Sequence, residues 1–268
     1  MKKLIPFGRA MAALLLATAA SVPMTATAQA APAGSDAEKW QFTAGLYGWF
    51  ATIKGTIVSD TGTTDIDLPF GDLLDALKMA FMGEIAVHNG RWGAFADTLY
   101  LDVGSGKLTQ TRNLSVGGTT FPVTTSESAD VKANVWTFAG DYRIVSTPEW
   151  TVDALAGARS LYIKTKIDYS IGPILGQKES SGTIWNGIVG VKGRYTFADR
   201  GAWFVPFEVD IGTGDSSLTW SALAGIGYKF HWGDAVAAWR YMDWNGKSGK
   251  SIQDLTINGP ILGVQLHF

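Results

Sequence analysis

Cysteine is absent from the 268-residue chain. That excludes a disulfide framework, a thiolate zinc site and lipid attachment through cysteine. Charge is sparse at 17% of residues and balanced to a net of −2, so no basic patch marks a nucleic-acid partner. Beyond the first thirty residues there is no uncharged apolar run of about 18, the length a membrane-crossing helix needs. Neither a helical membrane protein nor a stapled secreted domain fits this composition.

What is present begins at the amino terminus. Lys2, Lys3 and Arg9 precede "MAALLLATAA", and the small-residue run "TATAQA" follows. This is the layout of a secretory signal peptide over residues 1–30, with Ala28-Gln29-Ala30 as the cleavage site and Ala26-Thr27-Ala28 as the alternative. Sec-type export is expected, with residues 31–39 as a short tether and residues 40–268 as the folded domain. Losing the three leader cations makes the exported chain more acidic.

That domain holds most of the 32 glycines and 11 tryptophans, and its dominant pattern is strict alternation. Trp40, Phe42, Ala44, Leu46 and Phe50 alternate with Gln41, Thr43, Gly45 and Tyr47. Trp185, Val189, Val191 and Tyr195 oppose Asn186, Gly190, Lys192 and Arg194. Trp220, Ala222, Ala224, Ile226 and Tyr228 oppose Ser221, Gly225, Gly227 and Lys229. Tight turn signals at "HNGRW", "STPEW", "ADRG" and "HWGD" alternate with looser polar connections near 59–69, 113–120, 170–182, 213–217 and 245–251. The reading is an all-β, antiparallel, up-and-down arrangement of about ten strands, eight being the alternative, with both termini at the short-turn end.

Alternation alone does not say which face is inside. The polar face carries both charge signs and many glycines, whereas the apolar face carries rings at its two ends. Trp150 and Tyr162 are 12 residues apart, Trp185 and Tyr195 are 10, and Trp220 and Tyr228 are 8. Ten residues at roughly 3.3 Å each, tilted by about 40°, span about 25 Å, the height of the lipid-facing band between aromatic girdles. Trp40, Trp92, Tyr142, Trp150, Tyr162, Trp185, Tyr195, Trp203, Trp220 and Tyr228 are the expected girdle residues. An exported β-protein crosses lipid only as a closed barrel, because every backbone group must be paired. The bacterial outer membrane is the expected location, with its lipids and lipopolysaccharide as neighbours.

The segments "DALAGARSLY", "IWNGIVGVKGRYTFADR", "FEVDIGTGDSSLTWSALAGIGYKF", "WRYMDW" and "INGPILGVQLHF" resemble, in that order, a large group of mostly uncharacterised, porin-like proteobacterial outer-membrane β-barrel proteins. "LYGWFATIKG" and "EIAVHNGRWGAFADTLY" extend the likeness more loosely into the first half. Ala238-Trp239-Arg240-Tyr241 departs from the group's usual Gly-Tyr before the arginine. The resemblance implies a Gram-negative transmembrane barrel and no activity. It also implies that the final strand, ending in Phe268, is read by the barrel-assembly machinery and closes the barrel.

By parity the lumen receives Glu84, Asp97, Asp141, Asp153, Glu208 and Asp210, with Arg143, Arg159, Lys192, Arg194, Lys229 and Arg240 as counterparts. A barrel of about ten strands is narrow. Equal numbers of each sign point to a salt-bridged polar core, with a small-solute or ion path as the alternative. Outer-membrane hydrolases commonly use a histidine base near the outer rim or the outer leaflet, whereas His88, His231 and His267 all fall at the short-turn end and are expected to anchor the interface. Asp72 is a candidate cap for a short helix in "DLPFGDLLDAL", which either packs a loop on the rim or gates the mouth. "GSGK" at 104–107 lacks phosphate-loop spacing, and Asp60, Asp65 and Asp67 read as a solvated acidic loop. No cofactor, metal or catalytic residue is assigned. The expected function is a structural or passive small-solute barrel with a mostly occluded charged lumen. An outer-membrane lipid or peptide hydrolase and a surface-binding barrel are the alternatives.

Overall fold

The computed structural model describes residues 39–59, 62–104, 108–116, 119–171, 174–198, 201–247 and 252–268. The expected signal peptide, residues 1–30, and residues 31–38 of the expected tether lie outside them. Thirteen strands and one helix follow in order: β1 (Trp40–Trp49), β2 (Thr52–Ser59), β3 (Gly62–Leu68), α1 (Phe70–Ala76), β4 (Leu77–Asn89), β5 (Trp92–Gly104), β6 (Leu108–Val116), β7 (Thr119–Ser146), β8 (Trp150–Ile171), β9 (Ile174–Thr196), β10 (Trp203–Gly214), β11 (Ser216–Lys229), β12 (Asp234–Gly246) and β13 (Ile252–His267).

They build a closed antiparallel barrel of ten strands. β1 and β2 lie end to end along β13, so together they are one wall strand, and β5 and β6 are likewise two halves of one strand along β7. β3 is an extra arm on β2. Closure runs from Thr43 opposite His267 to Trp49 opposite Ile261. Phe268 takes part with its backbone: its N–H bonds the Phe42 carbonyl (2.9 Å) and its carbonyl receives the Phe42 N–H (3.1 Å). The last residue is thus held by the first strand, and no edge is left at the seam's lower end.

The short turns behave as their residues dictate. β4 and β5 pair out to Asn89 opposite Trp92, leaving Gly90-Arg91 as a two-residue loop, and Gly90 takes a φ of 60° that a side chain resists. At the other end the expected loose connections near 113–120 and 170–182 are corrected. β6 pairs with β7 to Val116 opposite Thr119, and β8 with β9 to Ile171 opposite Ile174. Leu114 and Val116 are the only apolar residues of 113–120, and residues 176–182 have none, so period-2 hydrophobicity does not register these stretches.

The exterior is apolar. Ile85, Val189, Val209, Ile211, Trp239 and Leu262 all project outward and are exposed. Small residues set the wall's inner spacing. A Cβ at Gly225 would run into the Ala237 carbonyl and the Ala238 backbone on β12. Gly225→Val is therefore expected to destabilise the folded barrel by about 1–3 kcal/mol through overpacking, seen as a lower urea midpoint for the refolded protein. An unchanged midpoint would contradict the close approach.

Candidate functional site

Among the described residues, the lumen gathers the largest groups of buried polar side chains. From the short-turn end inward it holds a rim cluster, a cavity, a charged waist and an apolar plug.

At the rim, His267 Nε2 sits 2.9 Å from Asp234 Oδ2, with its Nδ1 3.2 Å from Thr43 Oγ1. Arg194 donates to the same Asp234 oxygen at 3.4 Å. Beside this, His88 Nε2 lies 2.8 Å from Asp141 and 3.6 Å from Asp153. Arg143 forks onto Asp153 at 2.9 and 3.2 Å, and Lys192 reaches Asp141 at 3.1 Å while lying over the Phe95 ring. The expected interfacial anchoring by His88 and His267 is corrected: both point into the barrel and are bound by carboxylates. For His88 the signal was its even spacing from a lumen carboxylate, four residues after Glu84 on β4, and for His267 its parity with Leu255, Ile257 and Ile261 on β13. His88, Asp141 and Asp153 offer atoms within 4.8 Å of one another. Arg143 and Lys192 already neutralise those carboxylates, so the donor set suits an ion-pair cluster better than a metal.

Above the rim lies a cavity of about 340 Å³ that Glu84, Glu208, Phe95 and Lys192 line. Glu84 and Glu208 make no ion pair among the described residues. Lys229 is exposed at the end of β11 and likewise makes none, so it stands apart from the charges grouped here.

The waist is formed by two buried pairs. Arg240 on β12 crosses the lumen to Asp97 on β5 at 3.1 Å, and Tyr47 donates to that carboxylate at 2.5 Å while receiving Arg240 Nη1 at 3.2 Å. Arg159 on β8 forks onto Asp210 on β10 at 2.8 and 2.6 Å and donates its Nε to Thr137 at 3.1 Å. Both side chains of the second pair are completely buried. A planar fork on a carboxylate uses nearly every donor that burial would otherwise orphan.

The outer half corrects the expectation of a charged lumen throughout. Trp49, Met82, Leu99, Leu101, Val135, Leu161, Met242, Trp244, Leu255 and Ile257 fill it as one apolar cluster. Tryptophan therefore serves both faces: Trp49 and Trp244 point inward, with Trp244 at 0% exposure. Parity carried this signal, because an inward Arg240 forces Met242 and Trp244 inward as well.

The expected girdle residues lie on the exterior face. Trp92 stacks edge-on to Tyr142 at 4.8 Å, Trp150 packs on Tyr195 at 4.7 Å and Trp203 on Tyr228 at 4.9 Å, which makes a ring at the short-turn end. Trp40 is exposed on β1 at the same end. Toward the other end stand Tyr162, Trp185 and Trp220, the last stacked on Tyr241 at 4.6 Å. Beyond that ring, Lys132 bonds Asp102 (3.0 Å) and Lys164 bonds Glu179 (2.6 Å), and each carboxylate hydrogen bond holds its lysine above the usual range.

α1 covers the expected helical segment. Its N-cap is Pro69 rather than Asp72, which sits in the first turn without a capping hydrogen bond. Leu73 is buried, and Phe70 meets Phe50 edge-on at 5.2 Å. Asp67 pairs with Lys54 at 3.1 Å. Asp60, the side chain of Asp65 and residues 105–107 lie outside the described set.

No protein-family model matches the sequence, and no curated protein matches it. Among solved structures, the outer membrane protease OmpT of Escherichia coli is similar over 86% of this chain and 97% of its own, at 10% identity and a TM-score of 0.47. The translocator domain of autotransporter NalP from Neisseria meningitidis covers 85% and 88% at 12% identity and a TM-score of 0.40. The attachment invasion locus protein Ail of Yersinia pestis covers 86% and 99% at 12% identity and 0.33. The barrel assignment rests on the strand ladder itself.

Proposed function

We propose that this chain is an integral barrel of a bacterial outer membrane, short turns and termini in the periplasm, whose lumen is closed at rest. The apolar exterior between two aromatic rings supports the membrane reading, since a soluble barrel would expose that face to water. The observation that carries the function is the filled outer lumen. A completely buried Arg159–Asp210 pair is followed by a dry cluster with Trp244 at its heart. Beside that cluster stand only a few buried neutral groups such as Thr219 and Ser221, and an apolar constriction blocks conduction by dewetting. The periplasmic cavity is a blind vestibule under that plug. The primary role is structural, and any solute passage requires the plug to move.

Purified, refolded protein is expected to migrate faster unboiled than boiled on a denaturing gel and to leave a planar bilayer silent. Reproducible stepped conductance from the wild-type chain would overturn the closed state. We read the chain as non-enzymatic. A lipid and peptide hydrolysis screen in which wild type turns over and His267→Ala does not would reverse that reading, because Thr43, His267 and Asp234 align as hydroxyl, imidazole and carboxylate.

A further inference from the structure

We propose that the barrel wall carries a lateral port in its outer half, shut by α1, through which a hydrocarbon chain of a surrounding lipid reaches the apolar outer lumen. The inference rests on the membrane reading above and goes beyond it.

The port is a gap in the backbone ladder. β4 pairs with β1 only from Gly83 to Asn89; from Met82 up to Leu77 its pairing is with β5 alone. The strand that would cover this edge, β2, turns to β3 instead, and β3 does not pair back onto β4 among the described residues. The ladder fails at an identifiable bond: the Trp49 N–H donates to the thioether sulfur of Met82 at 3.2 Å rather than to a carbonyl. Phe50 then bonds Pro260 on the opposite neighbour. α1 reaches from β2 to β5 across the gap. It is a seven-residue helix with no side-chain cap, held by Leu73 and the Phe50–Phe70 contact.

Height and lining select the occupant. The last β1–β4 pair, Leu46 opposite Gly83, is six residues above Trp40, about 15 Å up a band about 25 Å tall at a tilt of about 40°. The lower edge of the gap therefore lies beside acyl chains, and its upper end reaches the outer aromatic ring. Behind it stand Trp49, Met82, Leu99 and Leu101, which give a polar solute no partner. Bare strand edges are not tolerated in hydrocarbon, and a lipid tail offers them no hydrogen bond, so α1 stays over the gap at rest and yields only while a tail passes. A one-helix cover over this packed apolar cluster is a door between two apolar phases, and a tail that passes it takes its place by displacing side chains of the cluster.

The test uses the full refolded chain in phosphatidylcholine vesicles doped with a phospholipid carrying a photoactivatable diazirine at mid-chain. Adduct positions are read by peptide mass spectrometry. Adducts are expected on exterior Ile85 and Leu262 and also on lumenal Leu99 or Leu101. Leu73→Ala, which loosens the door, should raise the lumenal adducts several-fold while leaving the exterior ones constant. If Leu73→Ala fails to assemble, Met82→Ala, which removes the sulfur that ends the ladder, serves the same comparison. Exterior adducts without lumenal ones, in both wild type and variant, would overturn the port alone. Absence of exterior adducts would instead overturn the membrane reading.

Discussion

Arg159→Ala is expected to lower the unfolding free energy of the barrel by about 3–5 kcal/mol, because it strands the Asp210 carboxylate where neither water nor another cation reaches it. The geometry leaves little room for escape. Asp210 accepts both guanidinium nitrogens at 2.8 and 2.6 Å, and both side chains are fully buried. Thr137, which now receives Arg159 Nε, cannot replace a charge. Asp210→Ala should cost a similar amount, whereas Arg159→Met combined with Asp210→Leu should recover most of the loss, since an apolar pair of matched volume has nothing left to desolvate. Urea titration of the refolded protein, followed by tryptophan emission, measures all three. A single variant within about 1 kcal/mol of wild type would mean that water enters the waist and the pair is solvated, as exposed ion pairs are. The same variants should remain silent in a bilayer, because the apolar layer above the waist is untouched.

Why some of this was legible in the sequence and some was not follows from parity. In a barrel each strand assigns its residues to two faces by odd and even position, so one securely placed residue fixes a whole strand. The terminal run through Leu262, Val264, Leu266 and Phe268 was readable as an outward face, and its closure against β1 with Phe268 still bonded agrees. The partners of each charge were not readable. Parity puts Arg240 and Asp97 in the same space, but only the strand tilt and register bring a β12 side chain across to β5. Hydrophobicity averaged along a strand also hid the two-zone lumen. "MDW" at 242–244 looks like a girdle when counted as aromatic content, yet its parity with Arg240 places Met242 and Trp244 inside. The seam escaped for a different reason: "WFATIKG" alternates on both sides of Phe50–Ala51, and nothing local records that the neighbouring strand has changed from β4 to β3.

Trp244→Ala separates the two layers that close the lumen. The indole is the largest completely buried side chain in the outer cluster, and its removal should cost about 3–5 kcal/mol as a cavity that the rigid wall cannot collapse. Its Nε1 has no hydrogen-bond partner, so Trp244→Phe removes an orphaned donor together with part of the ring and should cost far less, within about 1–2 kcal/mol. The conductance readout carries the mechanistic weight. If the dry cluster is the barrier, Trp244→Ala lets a water column form beside Met242 and Leu255 and produces intermittent current steps, while Trp244→Phe stays silent. If the ion pairs at the waist are the barrier, the pattern inverts: Arg159→Ala conducts and Trp244→Ala does not. The structure favours the first outcome, because the waist and the vestibule beneath it offer ions charged partners, whereas the plug offers only a few buried neutral groups, such as Thr219, Ser221 and the Trp244 indole N–H.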